Sequence, residues 1–318
     1  MAAPTTALPA SGSGFSHLLA VEDSFPLDAS LPLQRSLDYC AELEAGHIIF
    51  LPSSPDLISQ EDRDLLLGRR QSSSAIHKNI AYRPAEDRIT GLDASEARET
   101  DELRRIMRGF SQHSAEFLSR FLIPYAGKWK LDYASYRPIE EKGRSARVHA
   151  RNDLLHFDSF PTRPTNGARI LRFFVNINPT ESRIWLTSQT FEAFGPRFAL
   201  AGNLLASVGG NSVTRGLRQA ARTLKLPFGR RPLYDEFMHR CHNAMKEDAA
   251  FQDQAPKSRW EFPPNSAWMV FTDCVSHAVL SGQYALEQTF MIPQSALVKR
   301  EKSPLRILQK IAGYRLTL

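Results

Sequence analysis

Short strand-like segments that mostly lack intervening helices constrain the fold of this chain more than any other feature. Segments rich in β-branched and aromatic residues occur at 128–137, 146–150, 154–157, 169–178, 183–186, 267–271, 277–280 and 284–292. Parallel strands need long crossover connections, usually helices, which most of these segments lack. The pattern therefore predicts antiparallel strands in a double-sheet sandwich or jelly roll, with helices packed outside.

Helical patterns flank and interrupt these strands. Short helices are predicted at 35–44 and 59–68, on either side of a strand at 46–51, and 69–91 reads as a polar loop. From about 95 to 122, apolar residues recur on one helical face, which predicts a long helix covering a sheet. A helical insert is predicted at about 195–256, with helices at 213–224 and 233–250. The predicted fold class is α+β.

The same patterns predict the domain organisation. Residues 1–30 are expected to form a flexible tail, and 31–318 a single domain with a jelly-roll core at about 128–293. The stretch 303–313 has an N-cap serine, proline at the first helical position and a terminating glycine, which indicates a basic amphipathic helix. This helix could bind an anionic membrane surface or the protein's own core, and both hypotheses stay open.

Charge and composition limit the classes of partner and compartment. The net charge is +6 and the pI about 9.3, which favours an anionic partner, although ordinary solubility charge explains the same numbers. No apolar run approaches the roughly 20 residues that span a bilayer. The first residues lack the pattern of a signal peptide, and the 3 cysteines are scattered along the chain. A cytoplasmic protein is expected.

His156, Asp158 and His277 are the candidate metal ligands. In an extended segment, residues 156 and 158 point to the same side, so an imidazole and a carboxylate there can bind one ion together. Two histidines and one carboxylate leave half of an octahedron open, as in non-haem Fe(II) oxygenases. The His-X-Asp tripeptide alone also fits a strand-end histidine followed by a turn-capping aspartate.

The order of these residues resembles that in Fe(II)- and 2-oxoglutarate-dependent dioxygenases. In those enzymes a double-stranded β-helix, a cupin-like jelly roll, carries His-X-Asp early and a second histidine late, before a turn ending in glycine such as Ser281-Gly282. A closer resemblance is to the Kdo hydroxylases, which oxidise 3-deoxy-D-manno-octulosonic acid (Kdo) of lipopolysaccharide. It rests on the string His156-Phe-Asp-Ser-Phe-Pro-Thr-Arg-Pro-Thr-Asn-Gly-Ala-Arg-Ile-Leu-Arg-Phe-Phe-Val-Asn-Ile-Asn-Pro179 and on Arg183-Ile-Trp185.

The resemblance implies a reaction and a set of partners. Fe(II) would bind His156, Asp158 and His277, and 2-oxoglutarate and O2 would be co-substrates that yield succinate and CO2. Hydroxylation is expected at C3 of a Kdo residue in a lipid A precursor. A lipid-linked substrate implies an enzyme that meets the inner membrane peripherally, and no nucleic-acid partner is expected.

The co-substrate's distal carboxylate needs a cation, which relatives often place beyond the glycine that follows the second histidine. Residues 282–288 contain no basic side chain. Arg172 is the first substitute, because a guanidinium binds a carboxylate bidentately, and Arg169 is the second. Tyr136 resembles a tyrosine with which relatives hydrogen-bond the oxo-acid, although a strand aromatic with its hydroxyl in water fits the same position. Asn176 is a further candidate donor to the same molecule. The arginines predicted around the mouth of the site are Arg144, Arg147, Arg151, Arg163 and Arg169.

Other interpretations remain open from the sequence. One is a cupin-like metal-binding protein without oxygenase activity, and another is a hydroxylase of a different small anionic substrate. A basic binding module for membranes or nucleic acid lacks any recognisable nucleic-acid motif in this chain. His239, Cys241 and His242 are interpreted as helix surface, and Asp235, His77 and His113 as structural residues.

Overall fold

The computed structural model describes residues 14–21, 30–68, 79–92, 97–200, 204–209 and 231–317. The helices are α1 (Leu33–Ala45), α2 (Gln60–Gly68), α3 (Ala97–Phe121), α4 (Phe191–Leu200), α5 (Leu204–Gly209), α6 (Leu233–Glu247), α7 (Ala249–Gln254) and α8 (Pro304–Ala312). The strands are β1 (Leu18–Ala20), β2 (Ile48–Leu51), β3 (Ile80–Arg83), β4 (Arg88–Thr90), β5 (Lys130–Arg137), β6 (Arg169–Asn176), β7 (Arg183–Thr190), β8 (Ser258–Phe262), β9 (Ala267–Phe271), β10 (Val275–Ser281) and β11 (Ala285–Ile292).

Two sheets form the core. The larger has 8 strands in the order β1-β2-β9-β6-β11-β5-β3-β4, and the smaller has 3 strands in the order β10-β7-β8. Within the described ranges, β1 with β2 is the one parallel pair. The predicted jelly-roll core of antiparallel strands is confirmed.

Aromatic side chains fill the space between the sheets. Trp185 of the small sheet lies edge-on to Phe174 and Trp268 of the large sheet, with ring centroids 5.0 and 5.7 Å apart. Phe262 stacks on Trp268 at 3.9 Å. Large apolar surfaces removed from water in this way supply the main driving force for joining the sheets.

Helix α3 covers the opposite face of the large sheet. Its buried residues recur along one side of the helix, among them Leu103, Ile106, Met107 and Phe110. Phe117 stacks on Phe173 of β6 with centroids 5.6 Å apart. Alternate residues of β6 therefore face α3, as predicted, while Arg172 and Phe174 face the space between the sheets.

The structure corrects several sequence-based boundaries. Residues 146–150 contain a 3-10 turn at Val148–Ala150, and 154–157 makes one isolated bridge, His156 to His277. The predicted tail includes β1, which pairs with β2, and the predicted polar loop includes β3 and β4. Strand β8 was not predicted. The predicted helix at 213–224 lies outside the described residues.

Helix α8 begins and ends where its capping residues predict. The Ser303 hydroxyl accepts a hydrogen bond from the Arg306 amide, and Gly313 ends the helix with φ of 74°. Leu305 and Leu308 are buried against the protein, whereas Arg306 and Lys310 are exposed. The apolar face of the helix therefore packs on the protein's own core.

Candidate active site

Backbone pairing brings the candidate metal ligands together. His156 and His277 exchange backbone hydrogen bonds of 3.1 and 3.0 Å, and the Asp158 amide donates to Thr272 O at 2.8 Å. Because the segment is extended, the side chains of His156 and Asp158 point to the same side, toward His277. One ligand atom from each of these residues lies within 4.8 Å of the others, and all three residues are buried.

Both histidines present the same ring nitrogen to this cluster. Nδ1 of His156 donates to Leu154 O at 2.7 Å, and Nδ1 of His277 donates to Val275 O at 2.8 Å. Each carbonyl fixes the proton on Nδ1 and leaves Nε2 as a lone-pair donor. Trp185 stacks on the His277 ring at 5.3 Å and holds its plane.

The protonation states suit a divalent cation. Burial lowers the pKa of His156 and of His277, so both imidazoles are neutral near pH 7. Burial would raise the pKa of Asp158, but the adjacent Arg172 guanidinium holds it well below its usual value. Two neutral imidazoles and one carboxylate are the donor set that non-haem Fe(II) takes.

A cavity of about 290 Å³ opens onto these ligands. Its walls carry a high proportion of cationic and aromatic side chains, including Arg137, Arg172, Phe174, Arg183, Trp185, His242 and Lys246. Lys246 donates to His149 O at 3.0 Å and to Arg151 O at 2.7 Å. The cavity is therefore suited to an anionic molecule beside the candidate metal site.

Arg172 lies at the site but is held by acidic side chains. Its Nε is 2.9 Å from Asp158 Oδ2, and its Nη1 is 2.9 Å from Glu287 Oε1. Glu287 also pairs with Arg137. Glu287 lies within the stretch 282–288 that lacks a basic residue, so that stretch places a negative charge beside Arg172 and Arg137.

Arg183 is the least compensated of the cavity's arginines. Its Nη1 donates to Gly282 O at 2.9 Å, and Nη2 is 3.7 Å from Glu141 Oε1. Within the described ranges, its buried Nε has no hydrogen-bond partner. Burial and the neighbouring Arg137 lower the pKa of Arg183 to about 10. An incoming carboxylate would therefore be more strongly stabilised here than at an already paired guanidinium.

Gly282 allows this placement of Arg183. Its φ is 126°, a region that favours glycine, and an added Cβ would lie 2.9 Å from the Arg183 Cα. The glycine turn after His277 therefore matters for close packing against β7. Its carbonyl then accepts from the guanidinium of Arg183.

Arg169, Tyr136 and Asn176, predicted to bind the co-substrate, do not line the cavity. Arg169 is fully buried, donates to Asp273 at 2.8 Å and lies over the Phe271 ring. The Tyr136 hydroxyl donates to Leu66 O at 2.6 Å. The Asn176 amide donates to Glu181 O and Phe262 O. These contacts connect elements of the fold, and the three predictions are corrected.

Of the predicted arginines at the mouth, Arg169 is the one that lies in the interior. Arg147 is exposed, Arg144 is half-buried, and Arg151 pairs with Asp153. Arg163 lies over the rings of Tyr133 and Phe160, at 3.7 and 4.3 Å. Arg163 also pairs with Asp132, so Arg144 and Arg147 supply the positive charge of this surface, whereas Arg151 and Arg163 are partly neutralised.

His242 was wrongly interpreted as helix surface. Its Nδ1 donates to Phe157 O at 2.8 Å, and its ring lies edge-on to His156 with centroids 4.9 Å apart. Burial lowers the pKa of His242 to about 4. The i, i+4 spacing of His242 and Lys246 predicts a shared helix face. No local sequence pattern predicts that this helix face packs on the segment that carries His156 and Asp158.

Sequence reasoning also missed Arg137, Arg183 and Trp185 as cavity residues. Arg183 and Trp185 are two residues apart on β7, so the strand period puts them on one face. That signal was present in the sequence. Which face meets the cavity depends on how β7 pairs with β10, where His277 lies opposite Thr187.

None of the helices in the described ranges is long and apolar enough to cross a bilayer.

Comparisons with known proteins match this chain to one enzyme family. The family model for 3-deoxy-D-manno-oct-2-ulosonic acid (Kdo) hydroxylases matches residues 28–315. The apo structure of the Kdo hydroxylase KdoO, a non-haem Fe(II) 2-oxoglutarate-dependent dioxygenase, is 30% identical with a TM-score of 0.79, covering 95% of this chain and 98% of that one. A comparison with curated protein sequences gives no match.

Liganded structures of KdoO are equally similar. The complex with 2-oxoglutarate and Fe(III) has 30% identity and a TM-score of 0.78, with 95% and 98% of the two chains covered. The cobalt(II) complex also has 30% identity and a TM-score of 0.78, with 94% and 97% covered. The similarity therefore extends over nearly the full length of both chains.

Proposed function

Because this chain belongs to the Kdo hydroxylase family of non-haem Fe(II)- and 2-oxoglutarate-dependent dioxygenases, we propose that it hydroxylates C3 of a Kdo residue. The reaction would consume O2 and 2-oxoglutarate and release succinate and CO2. The observation that carries the proposal is the buried cluster of His156, Asp158 and His277 at a cavity with an under-compensated arginine.

The cluster would hold Fe(II) through Nε2 of His156, Nε2 of His277 and the Asp158 carboxylate. When bound, Fe(II) supplies the O2-dependent oxidation that breaks a C–H bond, which acid–base groups cannot do. The protein's own contribution is orientation. Carbonyl oxygens fix the imidazole tautomers, Trp185 fixes the His277 plane, and Arg172 keeps Asp158 ionised.

The distal carboxylate of 2-oxoglutarate would bind Arg183 rather than Arg172. Arg172 already contacts two carboxylates, so a third would add repulsion from Asp158 and Glu287. Arg183 has a weaker acidic partner, with Nη2 3.7 Å from Glu141 Oε1, and lies two residues from Trp185, on the strand face that meets the site. Arg183 also replaces the cation that residues 282–288 lack, which weakens the case for a cupin-like protein without oxygenase activity.

The substrate would be a Kdo residue linked to a lipid A precursor, encountered at the cytoplasmic face of the inner membrane. Arg144, Arg147 and Arg151 would attract the sugar's carboxylate and nearby phosphates. Because the apolar face of α8 is buried, membrane contact would be electrostatic, through the exposed Arg300, Arg306 and Lys310. Charge-reversal variants at these exposed positions should reduce binding to anionic vesicles without reducing turnover of a soluble Kdo substrate.

We infer that residues 31–318 work as one dioxygenase domain. The large sheet supports this, because it joins β2 near the start of this range to β11 near its end, and it also includes β1 from the preceding segment. The described insert helices α6 and α7 contact the ligand-bearing segment. Removal of the insert is therefore expected to abolish metal binding rather than leave an active core.

The test is incubation of Kdo-bearing lipid A with enzyme, Fe(II), 2-oxoglutarate and 18O2, followed by mass spectrometry. One 18O atom should enter Kdo at C3, with one succinate formed for each hydroxylation. An enzyme inactivated by Asp158→Ala is the control. Succinate release without 18O in the sugar would still support a dioxygenase but would exclude this substrate. If no succinate formed under any condition, the dioxygenase class itself would be excluded.

A further inference from the structure

In the part of the chain that the structure describes, the segment that carries His156 and Asp158 is paired as a strand along one edge. His156 exchanges both backbone hydrogen bonds with His277 of β10. In an antiparallel pair of this kind, the backbone groups of the flanking residues point to the opposite edge. Leu155 and Phe157 therefore present their backbone groups away from the sheet, where buried peptide groups need partners.

Side chains from the helical insert meet those groups. Gln252 of α7 accepts from the Leu155 amide at 2.8 Å through Oε1 and donates to Leu155 O at 2.9 Å through Nε2. One primary amide thus pairs with both backbone groups of one residue, as a neighbouring strand would. His242 of α6 donates to Phe157 O at 2.8 Å, at the residue between the two candidate ligands.

The same helices hold the segment on both sides of the ligands. Lys246 binds the carbonyl oxygens of His149 and Arg151, before the ligands. Asp235 accepts from the Thr165 and Asn166 amides, after them. Gln252 also donates to Met245 O at 2.8 Å, which ties α7 to α6. The segment is therefore fixed relative to a rigid helical pair and not only to β10.

We propose that α6 and α7 act as the missing neighbouring strand of the ligand segment, with His242 and Gln252 as positioning residues for His156 and Asp158. The proposal rests on the metal site proposed above. A shift of the segment would move two ligands relative to the third, because His277 lies on β10 and is paired with β7. Groups that orient metal ligands typically change metal affinity 10- to 100-fold when removed.

The test measures Co(II) affinity by titrating the metal-free protein and following the visible absorption of the bound ion. His242→Phe keeps a flat ring but removes the donor, so Co(II) affinity should fall roughly 10- to 100-fold. His242→Asn restores an N–H donor near the position of Nδ1, so affinity should return toward that of the wild type. His239→Phe, one turn earlier on α6, is the matched control and should bind as wild type does.

A second variant tests the inference at a different bond. Gln252→Met keeps the length of the side chain and removes its hydrogen bonds to Leu155. Hydrogen exchange of the Leu155 amide should then accelerate in the metal-free protein, while the His156 and His277 amides stay protected. Gln254→Met, on an exposed position of α7, is the control. If circular dichroism shows that His242→Phe does not fold, the Gln252→Met result tests the inference in its place.

The outcomes separate this inference from the proposed function. If the wild type binds no Co(II), or His156→Ala binds it unchanged, the metal site itself is wrong. If the wild type binds Co(II) and His242→Phe binds equally well, the positioning role is overturned. Equal losses in His242→Phe and His242→Asn would assign the effect to packing and would also overturn it.

Discussion

The two segments that carry the candidate ligands are built by different means. His277 lies within a regular strand, β10, whose backbone pairs with β7. His156 and Asp158 lie on a segment that contributes one isolated bridge, and its other edge is bound by side chains from α6 and α7. One segment is fixed by the backbone ladder, and the other depends on specific side chains.

Because of this difference, substitutions can change the geometry of the candidate site without changing the stability of the sheets. Strand pairing uses groups present in every residue, so substitutions near His277 change the register little unless they disturb packing. Side-chain pairing at the His-X-Asp segment can be altered one residue at a time without breaking a sheet. Substitutions in α6 and α7 are therefore expected to displace the two candidate ligands of this segment more than His277.

Removal of a ligand from either segment should have the largest effect. His156→Ala, Asp158→Ala and His277→Ala each remove one donor of a three-donor site, so Co(II) affinity should fall by more than roughly 100-fold. The stabilisation that Co(II) gives to the wild type in thermal melts should disappear in all of them. Near wild-type turnover by Asp158→Ala would exclude this site.

Substitutions of the two arginines beside these segments should affect different properties of the enzyme. Arg183→Met, on the His277 side, should raise the KM for 2-oxoglutarate roughly 10- to 140-fold, since a hydrogen bond to a charged group contributes about 1.5–3 kcal/mol. Arg172→Met, on the Asp158 side, should instead move the acid limit of metal binding to higher pH, because the pKa of Asp158 rises without its neighbouring cation. The reverse result would mean that the two arginines are assigned wrongly.

Acid stability should show the smallest effect. Burial lowers the pKa of His242 to about 4, below its usual 6.5. The unfolded chain then binds a proton that the folded one does not, so stability is lost as pH falls below about 6.5. From pH 7 to 5, His242 contributes at most about 2 kcal/mol to this loss. Urea unfolding of the metal-free His242→Asn protein should show a correspondingly weaker pH dependence, and an unchanged one would contradict the buried neutral ring.

The sequence was sufficient for those features that local patterns encode. Residues 128–137 and 284–292 are typical strands, and the apolar period of 95–122 marks α3. His-X-Asp with a late histidine indicates the three residues that the fold brings together as candidate ligands. The partners of Arg169 and Tyr136, Asp273 and Leu66, lie on distant parts of the chain and have no local signal. His242 resembled helix surface for the same reason.

The most direct test is an anaerobic crystal structure with Fe(II) and 2-oxoglutarate bound. The account predicts iron on Nε2 of His156, Nε2 of His277 and the Asp158 carboxylate, with the distal carboxylate of 2-oxoglutarate on Arg183. His242 should still donate to Phe157 O, and Arg172 should still contact Glu287. Iron bound elsewhere, or without Asp158, would contradict the account.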